Sequence, residues 1–130
     1  MIDRLVYRSR AVAIPPEIAL DRIFRCSVLN NARSDITGAL GYADQFYIQL
    51  LEGPSPAIDD LLRRLEEDTR HTDLRVLLRG FSERRLLPGW SMARVDLAKF
   101  APEAEPLIRS DDGLGLVTLM STISHQGVTR

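Results

Sequence analysis

The chain has 130 residues, 45% hydrophobic and 27% charged, and a formal net charge of −1 from 17 basic and 18 acidic side chains. That length suffices for one domain with its own core, and the balanced charge lacks the basic footprint of a nucleic-acid or anionic-membrane binder. The single cysteine, Cys26, rules out an internal disulfide and fits a reducing cytoplasm, where the protein is expected to reside.

Asp3 and Arg4 interrupt the N-terminus at once, so no signal peptide is expected. The longest weakly charged apolar stretch, Gly113 to Ile123, is too short for a membrane-spanning helix. Ile2 to Ser9 alternates and reads as a strand, with Leu5, Tyr7 and Ser9 on one face and Val6 and Arg8 on the other. Pro15-Pro16 stops it and opens a helix from Glu17 to about Leu29. Leu20, Ile23, Phe24 and Ser27 keep helical spacing, and Ile23, Ser27 and Asn31 share a stripe if the helix continues.

The runs Ile36 to Leu40 and Phe46 to Leu51 flank Gly41 to Gln45 and read as a β-hairpin. Gly53-Pro54-Ser55-Pro56 ends it, with Ser55 as an N-cap and Pro56 at the first helical position. Ile58, Leu61, Leu62 and Leu65 form the buried stripe of this second helix. Leu74 to Phe81 reads as a strand, Pro88-Gly89 as a turn, and Trp90 to Val95 as a last strand with Trp90 and Met92 on one face. Pro102 to Arg109 and Leu114 to Ser124 read as two short helices.

The order β-α-β-β-α-β with an additional strand is an α+β, ferredoxin-like sandwich. Two helices are expected on one sheet face and a C-terminal helical extension as a cap on the other, because Val6, Ile48 and Leu50 need cover. The expected division is 1–97 for the main unit and 98–130 for the cap.

No enzyme constellation stands out. The two histidines, His71 and His125, lack metal-ligand spacing, and neither a phosphate-binding glycine loop nor a nucleophile elbow occurs. A non-enzymatic module without a metal site is therefore expected. The unusual residues are polar groups on strand faces due for burial. Gln49 sits between Ile48 and Leu50, and an unpartnered buried amide costs about 1–3 kcal/mol. On a regular pleat it shares its face with Tyr7 and Ser9. Asn31 ends the first helix, and Trp90 and Met92 come from the last strand. Together they suit a planar heteroaromatic ligand in a mostly apolar slot.

Leu5-Val6-Tyr7-Arg8-Ser9, Asn30-Asn31, Ile36-Thr37-Gly38, Phe46 to Gly53 and Trp90-Ser91-Met92 resemble the motifs of the BLUF domains, blue-light sensors that use FAD. The resemblance runs from Met1 to about Leu97. It implies FAD held non-covalently between the two helices, with FMN or riboflavin as alternatives. It implies that Tyr7 is the electron and proton donor, and that Gln49 bridges Tyr7 and the flavin N5/O4 edge. Asn31 would hold the O4/N3 edge with Asn30 nearby. Ile23, Ser27 and Leu65 would line the ring, and Arg64 would lie near the ribityl or phosphate part. Trp90 and Met92 would compete for the place beside Gln49.

Leu29 stands where many members carry a basic residue. No output domain is expected within the chain, so its signal would pass to a separate protein partner or through a homo-oligomer. The alternative on the same fold is a small acylphosphatase-like hydrolase, although Arg8-Ser9-Arg10 lacks the glycines of a phosphate cradle.

Overall fold

A computed structural model describes residues 1–11, 16–67, 71–89 and 91–126. The elements run β1 (Ile2–Ala11), α1 (Pro16–Arg33), β2 (Thr37–Ala43), β3 (Phe46–Gly53), α2 (Ser55–Glu67), β4 (His71–Ser82) and β5 (Ala93–Val95). A 3-10 turn (Leu97–Phe100), α3 (Ala101–Arg109) and α4 (Gly113–Gln126) follow. The sheet order is β4-β1-β3-β2-β5, antiparallel except where β5 runs parallel to β2. This is the expected split βαβ arrangement with its additional strand.

β3 is the central strand, and seven of its eight residues are buried. Its two faces feed two cores. Leu5, Tyr7, Tyr47 and Leu51 pack with Ile23 of α1 and Ile58 and Leu61 of α2. Val6, Ile48 and Leu50 pack with Ala104 and Ile108 of α3 and Leu116, Val117, Met120 and Ile123 of α4. The C-terminal helices thus cap the second face. Gly113 permits that docking, since a Cβ there would stand 2.7 Å from the Leu77 carbonyl oxygen.

Several boundaries differ from the sequence reading. α1 continues past Leu29 to Arg33, which brings both Asn30 and Asn31 into the helix. Its end is made by the Asn31 carbonyl, which accepts from Ser34 N at 3.1 Å and Ile36 N at 2.9 Å, with Asp35 at φ 59°. That left-handed residue after the helix is a common stop, and its backbone signal is weaker in sequence than a glycine.

β2 runs to Ala43, so the hairpin turn is only Asp44-Gln45, with φ of 52° and 72°. Two positive φ values match the right-handed strand twist. α2 begins at Ser55 itself, and the Pro54 carbonyl accepts from Ile58 N at 3.0 Å. β4 starts three residues earlier than Leu74. β5 keeps only Ala93 to Val95, and Met92 precedes it. Trp90 lies outside the described residues.

β4 does not follow β1 in a constant register. Val6 faces Leu78, whereas Tyr7 faces Val76, so Leu77 is an extra residue. Such a bulge re-aims side chains locally. Here it lets Leu77 and Leu78 both join the capped core.

Candidate functional site

The site starts from the alternation of two adjacent strands. Tyr7 on β1 pairs directly with Gln49 on β3, and both side chains point to the α1/α2 face. Both are about 1% exposed. The Tyr7 hydroxyl donates to Gln49 Oε1. The Gln49 amide nitrogen in turn faces the thioether of Met92 at 3.8 Å. A thioether is a weak acceptor, so one side of this buried amide is firmly satisfied and the other only loosely.

Asn31 comes from the last turn of α1 and is buried. Its Nδ2 donates to the backbone carbonyl of Ser91 at 2.8 Å. Sequence reasoning missed Ser91 in this role, because a backbone carbonyl carries no residue-type signal. The bond ties α1 to the segment that carries Met92.

Among the remaining expected residues, Ile23 is buried in the same core, and Leu65 is partly buried against it. Ser27 and Asn30 are half-buried on α1. Arg64 is exposed on α2 and reaches Asp60 at 3.4 Å. The structure therefore brings Tyr7, Gln49 and Met92 into contact and places Asn31 against the neighbouring Ser91. Arg64 stands apart from that group on the exposed face of α2.

The residues fit a flavin on two observations. Ser9 Oγ, on the same strand face as Tyr7, is buried without a hydrogen-bond partner among the described residues. Among the described residues, the hydrogen-bond partner of Gln49 Nε2 is the Met92 sulfur at 3.8 Å, a weak acceptor. Amide and hydroxyl groups on an otherwise apolar face suit a planar ring with hydrogen-bonding edges. Among the described residues, no group of three or more His, Cys, Asp or Glu side chains could hold a metal ion. No helix there is long and apolar enough to cross a membrane.

Fold and site together define a ferredoxin-like ligand-binding module whose polar centre is a phenol and an amide rather than a nucleophile and base. Residues 2–93 match the family described as BLUF, sensors of blue-light using FAD, and the chain belongs to that family. FAD is the family's cofactor, and the match is to a photosensory module, not to a hydrolase.

The chain is 32% identical over 105 residues to photoactivated adenylate cyclase subunit beta of Euglena gracilis, covering 78% of this chain but 12% of the relative. It is 29% identical over 97 residues to the blue light- and temperature-regulated antirepressor BluF of Escherichia coli K12, covering 75% of this chain and 24% of the relative. The chain therefore spans a small part of these curated relatives. Among solved structures, the dark state of the BLUF protein BlrB superposes with a TM-score of 0.83 at 31% identity, covering 97% of both chains.

Proposed function

We propose that the chain senses blue light through the Tyr7–Gln49–Met92 series, and that its output is a change in hydrogen bonding rather than a turned-over substrate. The observation that carries this reading is the asymmetric bonding of Gln49, with a phenol on one side and a thioether on the other. FAD, when bound, supplies the absorption of blue light and a strongly oxidising excited state.

Tyr7 is the electron and proton donor. Its phenol is far more easily oxidised than the aliphatic groups around it, and its O–H already points at Gln49 Oε1. Gln49 carries donors and an acceptor on one planar group, so rotation or tautomerisation reverses its pattern with little displacement. That makes it the bistable element a switch needs. Met92 yields its place at low cost because its side chain is unbranched and flexible. Trp90 competes for that place.

Asn31, held by the Ser91 carbonyl through Nδ2, keeps Oδ1 for the cofactor's edge, with Asn30 beside it. Ile23, Ser27 and Leu65 line the ring, and Arg64 serves the cofactor's tail. Residues 1–97 act as the sensing unit and 98–130 as the cap that relays its state. The signal goes to a separate protein partner or through a homo-oligomer, in the cytoplasm.

An absorption spectrum of the purified protein before and after blue light tests this reading. The expected outcome is an oxidised flavin spectrum that moves reversibly to longer wavelength. A colourless protein, or a flavin spectrum that only bleaches, would overturn it.

A further inference from the structure

Glu52 is the least expected ionisable group in the fold. It lies on β3 three residues beyond Gln49, on the capped face, and is fully buried. Its carboxylate accepts from the backbone nitrogens of Leu86 and Leu87 at 2.9 Å and from Arg4 Nε at 2.9 Å. Burying a carboxylate is costly unless paired and hydrogen-bonded, and here both conditions are met. The neighbouring bonds hold the same stretch. Arg4 Nη2 donates to the Arg84 carbonyl at 3.1 Å. Arg85 donates to the Glu52 carbonyl at 3.1 Å, to Thr37 Oγ1 at 3.0 Å and to the Asp35 carbonyl at 2.7 Å.

Residues 84–87 belong to no helix or strand, yet they are pinned from four sides. The chain then runs on to Met92 and into the sheet at Ala93. A ring nitrogen of His125, in the last turn of α4, lies 2.6 Å from the Leu86 carbonyl oxygen, so its N–H donates to that oxygen. One end of the Met92 tether and one end of α4 therefore meet at Leu86.

We propose that Glu52 and His125 are positioning residues for the light response. Glu52 fixes the origin of the tether that carries Met92, and His125 makes α4 report the strain on that origin. The inference rests on the blue-light reading above. When Gln49 reverses its bonding and Met92 shifts, the tether passes force to α1 through the Ser91 carbonyl and to its own two ends. One end is the sheet at Ala93. The other is Leu86, where the His125 bond is the direct link to the cap.

The test is hydrogen exchange of residues 113–126, light minus dark, on the flavin-loaded full chain, with the absorption shift recorded on the same samples. In wild type the exchange rate of that segment changes with light. His125→Ala keeps the absorption shift and loses at least half of that exchange difference. His125→Gln, which retains an N–H donor, restores it. Glu52→Gln keeps the shift, alters its dark recovery rate at least threefold and reduces the exchange difference. A segment 113–126 that ignores light in wild type would overturn the proposal, as would a His125→Ala protein whose exchange difference equals that of wild type. Loss of the absorption shift in wild type would instead overturn the sensor reading, so the two failures are distinguishable.

Discussion

Tyr7 and Gln49 meet because antiparallel pairing sets them directly opposite each other, and the pleat turns both to one face. Removing the phenolic oxygen in Tyr7→Phe deletes the hydrogen bond to Gln49 and the proposed electron and proton donor while keeping the ring's volume. Gln49→Leu deletes both halves of the amide. Both variants should retain flavin and fail to form the red-shifted state, which steady-state spectra under blue light will show. A normal, long-lived shifted state in either would remove that residue from the mechanism. Asn31→Ala loses a hydrogen bond to Ser91 and one proposed for the cofactor, each worth about 1 kcal/mol. Flavin retention after gel filtration should fall about five- to tenfold, and unchanged occupancy would exclude Asn31 from the site. The Tyr7–Gln49 pairing was legible in the sequence, since alternation and hairpin order set the face of each. The partner of Asn31 was not, because it is a main-chain oxygen. Glu52 was equally opaque, since its donors are amides of a segment without periodic pattern.

At the scale of elements, the hydrophobic patterns located the strands and α-helices of the described residues but not the 3-10 turn at Leu97–Phe100, while the ends followed tertiary demands. α1 overran its expected stop because Asp35, not a glycine, takes the left-handed turn. β5 shrank to its three buried or half-buried residues because only they pair with β2. The face that α4 covers was legible in sequence, whereas the dependence of its seat on one glycine was not. Gly113→Ala would push a methyl to within 2.7 Å of both the Leu77 carbonyl oxygen and Leu78 Cβ. Overpacking of this kind costs about 1–3 kcal/mol. The thermal midpoint should drop by several degrees, and an unchanged midpoint would mean that the contact relaxes freely. Met92→Ala should leave the absorption shift largely intact and weaken its transmission. Its light-minus-dark exchange difference in residues 98–126 should be smaller than that of wild type, and an equal difference would sink this role.

At the scale of the whole molecule, the sheet is a partition. One face carries Tyr7 and Gln49 beneath α1 and α2, and the other is joined to the cap through Arg8, the neighbour of Tyr7. Arg8 Nε donates to Asp111 Oδ1 at 2.8 Å, and Arg75 Nη1 donates to Oδ2 at 2.8 Å. The bond from Arg8, opposed by partial burial and aided by Arg75, holds the Asp111 carboxyl below the usual carboxylate range. A group depressed in the folded state contributes stability above its unfolded pKa of about 3.9 and loses it as pH falls toward the folded value. The cap should therefore loosen on acidification below about pH 4, and Asp111→Asn should remove that part of the acid transition. Unfolding followed against pH by circular dichroism checks this, and identical acid limbs would refute it. The register slip at Leu77 gives this partition its parity. Before it, Leu74 and Val76 of β4 lie on the α1/α2 side, whereas after it the odd-numbered Arg79 does so, paired with Asp3 and Asp59. Deleting Leu77 would therefore remove the slip: Leu78 would follow Val76 in plain alternation, Leu78 to Ser82 would keep their sides, and the capped core would lose one side chain.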